Sequence, residues 1–242
     1  MSILKKITAS VPNTITCCNL LSGCLACIMA FSAYEEMALG LVGWQWTCIF
    51  IGAAAVFDFL DGAMARLLKA YSKIGAELDS LADLVSFGVA PGFLMFNIMG
   101  HFGEQFGSDA MLWLQYVALV VPVFGALRLA RFNVMDVGDT TFYGLPIPSA
   151  AIFLIGVAGW VNDNYYPGHV IVAVLIALIS VAMVGRFSMF SLKFKNFNIG
   201  ENFRRYIIIM AAVAFVIMYG IAGLAWTIVL YFLLSVLSRR KV

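Results

Sequence analysis

The stretch DFLDGAMARLLKAYSKIGAELDSLAD, residues 58–83, sets four aspartates inside or beside long apolar runs. Asp58 and Asp61 are three apart, and Asp79 and Asp83 four apart, so each pair shares one face of a helix. Residues 68–73 are polar enough to form the connecting loop. Two neighbouring antiparallel helices would then aim four carboxylates into one volume. Like charges in a low-dielectric setting repel, so this arrangement calls for counter-charge. Arg66 is one local cation. Oxygen-only donors with no Cys or His nearby point to a hard divalent cation, Mg²⁺ or Mn²⁺, with Ca²⁺ a third candidate.

The rest of the chain says what surrounds that charge. Its 242 residues are 63% hydrophobic and 12% charged, more apolar surface than a soluble domain of this size can hide. Lipid is the implied solvent, and the continuous rather than alternating apolar runs select helices over a barrel. The expected fold is an all-α integral membrane protein of about eight spans, near residues 14–33, 42–66, 80–100, 111–131, 147–161, 168–186, 205–219 and 222–238. The last two form either a hairpin or one bent element. With the N-terminus cytoplasmic, all fifteen Lys and Arg residues fall on inner segments and none on outer connections, the positive-inside pattern. The aspartates are thereby expected at the cytoplasmic face.

Residues 1–12 read as a short interfacial segment, basic on one side, which Pro12 and Asn13 break before the first span. No small-residue cleavage site follows, so the first helix is expected to be retained. Cys17, Cys18, Cys24, Cys27 and Cys48 lack a second C-x-x-C pair or a nearby histidine, and read as small apolar packing residues. Glu35, Glu36, Glu104, Asp109, Asp163, His101 and His169 read as solvated outer loops. No zinc site, phosphate-cradling glycine loop or nucleic-acid-binding surface is evident.

Gly62 and Ala65 follow Asp61 on the same side of its helix, and Gly75 precedes the second pair. Such small residues serve either close helix packing or the approach of a ligand to the backbone; flanking a carboxylate cluster, they favour the ligand.

The pattern Asp58-x2-Asp61-Gly62-x2-Ala65-Arg66-x8-Gly75-x3-Asp79-x3-Asp83 resembles, at all eight fixed positions, the signature of the CDP-alcohol phosphotransferase family. The resemblance implies a membrane enzyme with a six-helix core, divalent-metal dependence and a homodimeric assembly. Such an enzyme moves a substituted phosphate from a CDP-linked donor to an alcohol, with release of CMP. It further implies that Asp58, Asp61, Asp79 and Asp83 ligate metal, two ions per site, and that Asp83 is the catalytic base on the acceptor hydroxyl. Gly62, Ala65 and Gly75 would line the nucleotide site with Asp61, and Arg66 would support the motif or the phosphates. The core then covers residues 13–190, with a basic loop and a C-terminal hairpin over 191–242. The chemistry is consistent with the physics: a pyrophosphate donor brings charge that metals neutralise, and an alcohol attacks better with a carboxylate in reach of its proton.

Three further stretches bear on the acceptor. They are LDSLADLVSFGVAP at 78–91, PNTIT at 12–16 with Asn19, Leu20 and Gly23, and RLARFN at 128–133 with FYGLPIP at 142–148. Over about residues 10–190 they resemble the branch of the family that forms phosphatidylserine from CDP-diacylglycerol and L-serine in bacteria and archaea. Serine needs a cation for its carboxylate. Arg128 and Arg131, three apart, can face one site and suit carboxylate or phosphate; headgroup anchoring is the other reading of each. Arg186 is left open between phosphate and anionic lipid, whereas Lys193 and Lys195 are assigned to lipid. Asn13 and Thr16 either contact the donor nucleotide or cap a helix. Two rivals remain. One keeps the family with glycerol 3-phosphate or inositol phosphate as acceptor, which would ask for more cations. The other is a divalent-cation transporter, which would ask for acidic residues along a whole pathway.

Overall fold

The computed structural model describes residues 3–106, 112–134, 142–163, 166–189 and 199–237. The first helix, α1 (Ile3–Phe31), passes through Pro12, so the expected break at Pro12 and Asn13 does not occur. A proline removes one backbone hydrogen bond and bends a helix. It does not end one whose flanking turns stay packed, and α1 lies along the two helices that follow it. Asn13 and Thr16 are therefore mid-helix residues, and capping is not their role.

Helix α2 (Gly43–Leu67) ends the first half of the aspartate stretch. The loop after it contains Lys69 at φ 51°, and α3 (Lys73–Leu84) starts where the Ser72 side chain accepts the Gly75 N–H at 2.9 Å. This is the N-cap a serine supplies. A π-helical turn, Val85–Val89, then joins α3 to α4 (Ala90–Phe106). A uniform span was expected here; the extra residue per turn is a feature that recurs at functional sites. A 3-10 segment (Trp113–Leu119) leads into α5 (Val120–Val134). Then come α6 (Ile147–Asp163), α7 (His169–Val184), α8 (Ile199–Tyr219) and α9 (Gly223–Leu237). The only departure from helix among the described residues with a ladder is two residues wide: β1 (Phe142–Tyr143) pairs antiparallel with β2 (Ser188–Met189).

Among the described residues, five helical runs are long and apolar enough to cross a bilayer: Ser10–Phe31, Gly43–Leu67, Lys73–Gln105, Trp113–Val134 and Asn202–Leu237. Two shorter apolar helices, Ile147–Asp163 and His169–Val184, accompany them. This is a multi-pass membrane protein. Its outward faces keep large apolar side chains such as Leu21, Ile28, Phe59, Leu178 and Ile217, as a lipid-facing surface requires. The last run folds back on itself. Gly220 takes φ 58°, and a Cβ on Gly223 would lie within 2.2 Å of the Phe215 carbonyl oxygen. The pair α8 and α9 is accordingly a hairpin rather than one bent element.

The core lies between α4 and α6, where Leu94, Met95, Ile98, Leu154 and Ala158 are fully buried. Helix α9 crosses α6 at close range, since a Cβ on Gly156 would meet Ala225 N at 2.2 Å; small residues allow such approaches in membranes. At the opposite end from the aspartates, Tyr34 stacks on His101 at 3.7 Å and Phe102 on Tyr166 at 4.3 Å. His169 is not a solvated loop residue: it opens α7, is buried, and its Nε2 lies 2.9 Å from the Met99 carbonyl oxygen. Its position after Pro167 and Gly168 mimics a loop, but the aromatic cluster covers it. Cys17 and Cys24 are exposed rather than packed, and the five cysteines are free. Lys193, Lys195 and Asp109 lie outside the described residues.

Candidate active site

The helical spacing does what it predicts. Asp58 and Asp61 stand one turn apart on α2, and Asp79 and Asp83 one turn apart on α3. One carboxylate oxygen from each of Asp58, Asp61 and Asp79 lies within 4.8 Å of the other two. Asp61 is buried, and Asp58 and Asp79 are half-buried. Thr16 on α1 donates to Asp61 Oδ2 at 2.6 Å. By contrast, Asp79 Oδ1 is buried with no hydrogen-bond partner. A buried carboxylate oxygen without a donor is costly unless a cation takes that place. Three oxygens at this spacing with an orphaned one among them fit a divalent cation with hard-oxygen preference.

Asp83 does not belong to that trio. Its Oδ1 accepts a hydrogen bond from Asn19 Nδ2 at 3.2 Å. Asn19 is fully buried on α1, and its own Oδ1 accepts from Ser86 Oγ at 2.7 Å. Ser86 is also fully buried, in the π-turn one helical turn past Asp83. A Cβ on Gly23 would sit 2.3 Å from Ser86 Oγ, so that glycine is what lets α1 approach so closely. Asn19, Gly23 and Ser86 stand within the stretches that mark the resemblance, yet their spacing carried no signal of mutual contact. They lie 67 residues apart in the case of Asn19 and Ser86.

Beside the trio lies a cavity of about 240 Å³, near the lower end of small-molecule sites. Its wall includes Asn13, Thr16, Asp61, Gly62, Ala65, Arg66, Gly75 and Asp79, together with Pro12 and the loop residues Ala70, Tyr71 and Ser72. The two glycines differ. A Cβ on Gly62 would meet nothing closer than Arg66 Nη1 at 3.7 Å, so the space over it is open to a ligand. A Cβ on Gly75 would come within 2.9 Å of Asn13 Oδ1, so Gly75 makes room for the asparagine instead.

The three arginines named from the sequence have different surroundings. Arg128 is half-buried, its Nε is buried without a hydrogen-bond partner, and it lies in electrostatic reach of Asp83 and Tyr231. Its guanidinium carbon stands 6.0 Å over the Phe132 ring. Arg131 is exposed and donates from Nη1 to the Val184 carbonyl at 2.9 Å, where it closes the C-terminal end of α7. Arg186 is exposed on the segment leading to β2. Tyr231, contributed by α9 and 2% exposed, is a neighbour of Arg128 that no local pattern announces. The RLARFN and FYGLPIP stretches act partly as scaffold. Asn133 Nδ2 donates to Ser80 Oγ at 3.0 Å, Leu145 N donates to Ala182 O at 2.9 Å, and Gly144 holds φ 77° against Met183.

A multi-pass helical bundle thus carries, at the loop end of α2 and α3, a carboxylate cluster able to hold a divalent cation and a cavity for a ligand beside it. Residues 9–187 match the CDP-alcohol phosphatidyltransferase family, and the chain belongs to that family. Among its relatives, a protein of Methanocaldococcus jannaschii named CDP-diacylglycerol–serine O-phosphatidyltransferase is 37% identical over 181 residues, 75% of this chain and 74% of the relative. A protein of the same name from Helicobacter pylori is 29% identical across 93% of this chain and 89% of its own. Another from Bacillus subtilis is 40% identical across 44% of this chain and 56% of its own.

Proposed function

We propose that this chain transfers the phosphatidyl group of CDP-diacylglycerol to the hydroxyl of L-serine and releases CMP, at the cytoplasmic face of the membrane. The observation that carries the reading is that Asp61, Gly62, Ala65, Arg66, Gly75 and Asp79 of the signature line one cavity, with Asp58 in the trio that adjoins it and Asp83 one turn beyond Asp79 on α3. The names of the relatives favour serine, and the local charge agrees. Arg128 offers a planar cation near Asp83 for one carboxylate, whereas Arg131 is engaged at the end of α7. A phosphorylated acceptor asks for more cations than that.

In this reading Asn13, Thr16, Gly62, Ala65, Arg66 and Gly75 hold the cytidine-phosphate part of the donor, and its acyl chains remain in lipid. Asp58, Asp61 and Asp79 would hold a divalent cation, Mg²⁺ or Mn²⁺ by donor type, which when bound would supply counter-charge to the pyrophosphate. Asp83 takes the proton as the serine O–H bond breaks. The serine oxygen forms its bond to the phosphorus that carries diacylglycerol. The bond from that phosphorus to the bridging oxygen breaks, and its electron pair leaves with CMP. No Cys or His lines the cavity among the described residues, and the serines nearby are engaged, Ser72 Oγ by the Gly75 N–H and Ser86 Oγ by Asn19, so a direct displacement is the simplest route.

The test is CMP release by purified protein given CDP-diacylglycerol, Mg²⁺ or Mn²⁺, and one acceptor at a time: L-serine, glycerol 3-phosphate or inositol phosphate. Release with serine alone is the expected result. Release only with a phosphorylated acceptor would keep the family and remove serine.

A further inference from the structure

We infer that Asn19, held in one orientation by Ser86, is a positioning residue for Asp83 that keeps this carboxylate out of the metal trio and turned toward the acceptor. The inference rests on the proposed transfer reaction but concerns any alcohol acceptor, not serine in particular.

The geometry begins with an asymmetry among four carboxylates. Asp58, Asp61 and Asp79 bring oxygens to one point, and Asp83, one turn beyond Asp79 on the same helix face, does not join them. Something must hold it aside, because a fourth carboxylate this near a cation would otherwise be drawn in as a ligand. Asn19 Nδ2 is the hydrogen-bond donor to Asp83 Oδ1 among the described residues. An amide side chain can present either its oxygen or its nitrogen. Here the choice is made by both neighbours: the Asp83 carboxylate accepts only and so takes the NH₂ group, while the single proton of Ser86 Oγ has Asn19 Oδ1 at 2.7 Å as its nearer acceptor and the Asn19 carbonyl at 3.1 Å as the other. With the oxygen so engaged, the NH₂ group faces Asp83.

Both Asn19 and Ser86 are fully buried, so the chain Ser86–Asn19–Asp83 works in low dielectric, where such hydrogen bonds are stronger and more restrictive. The backbone is shaped to allow it. The π-turn Val85–Val89 puts Ser86 against α1, and Gly23 supplies the space, since a Cβ there would lie 2.9 Å from the Ser86 Cα. A π-turn, a missing side chain and two buried polar groups all serve one carboxylate. With Oδ1 tied to Asn19, Asp83 Oδ2 is the oxygen left for the acceptor proton. This division of labour has a consequence for kinetics: Asn19 and Ser86 act on the chemical step and leave donor and metal binding to the trio and its cavity.

The experiment is a double-mutant cycle on Asn19→Ala and Ser86→Ala, read by kcat and by KM for both substrates with the alcohol the wild type uses. Mn²⁺ affinity is measured separately by spin resonance on the purified protein. Groups that orient a reacting ligand through a hydrogen bond typically cost about 10–100-fold when removed, and a fall in kcat of that size is expected for Asn19→Ala. Both KM values and the Mn²⁺ affinity should stay within about threefold of wild type, a span smaller than one lost hydrogen bond normally produces. Ser86→Ala should lower kcat less, and should add nothing in the Asn19→Ala background, because it acts through Asn19. Asn19→Gln, which keeps the amide one methylene longer, should recover part of the lost kcat.

Weakened Mn²⁺ binding, or a raised KM for CDP-diacylglycerol at unchanged kcat, would overturn the inference and move Asn19 to the donor site. Additive losses from the two substitutions would also overturn it, as would a kcat equal to wild type. Wild-type release of CMP with an alcohol other than serine would remove the proposed substrate instead, and the same cycle is then read on that alcohol.

Discussion

The two sides of this site were written into the chain in different ways. The donor side, α2 and α3 with the cavity between them and α1, is a nearly continuous message from residue 58 to 83. Its residues meet because helical periodicity puts three- and four-residue neighbours on one face. The side proposed for the acceptor is assembled from Asn19 on α1, Asp83 and Ser86 on either side of a helix junction, Arg128 on α5 and Tyr231 on α9. Apart from Asp83 and Ser86, one helical turn apart, no spacing rule links these residues, and packing brings them together. The difference teaches that a site can be half legible, the half built by helical periodicity being the readable one.

Substitutions sharpen that contrast. Asp83→Asn keeps the shape and removes the base, and should lower CMP release by about 100- to 10,000-fold, the usual worth of a positioned general base; turnover at fixed CDP-diacylglycerol measures it. A smaller loss would move the proton acceptor elsewhere. Next in size, Arg128→Gln should raise the KM for serine by about 10–100-fold, as loss of a charge-assisted hydrogen bond does, with the KM for CDP-diacylglycerol unchanged. If both constants rose together, the division between the two sides would fail. Gly62→Ala puts a methyl group into open space, so the melting temperature should hold while the donor KM rises about 3–10-fold, the worth of an intrusion of about 1 kcal/mol. Gly75→Ala instead strikes Asn13 and should lower the melting temperature as well. The smallest effect belongs to Arg131→Gln. Removing one exposed hydrogen bond to a helix-terminal carbonyl should cost about 0.3–1 kcal/mol of stability and leave turnover within about twofold, because Arg131 faces Val184 rather than the acceptor.

Legibility followed the same divide in the fold. Apolar run length was enough to indicate a helical membrane bundle, and the positions of α2, α6 and α7 fall within a few residues of the expected spans, whereas α3 starts seven residues before the span expected at 80–100. What failed did so for identifiable reasons. Pro12 reads as a break when taken alone, yet α1 runs on through it. The π-turn is invisible because its residues, VSFGV, are as apolar as a regular span. His169 looked solvated because it follows Pro167 and Gly168, while the aromatic residues that bury it come from distant helices. Arg128 and Arg131 share a nominal face, yet one turns inward beside Asp83 and the other reaches a carbonyl of α7. Side-chain reach of that kind depends on neighbours contributed from 50 or more residues away.

The measurement closest to the central claim follows labelled L-serine into extractable lipid by the purified protein with CDP-diacylglycerol and Mn²⁺, for the wild type and for Asp83→Asn. The account predicts labelled lipid and CMP in equal amounts from the wild type, and neither from the variant. CMP release without serine incorporation, or equal incorporation by Asp83→Asn, would contradict it.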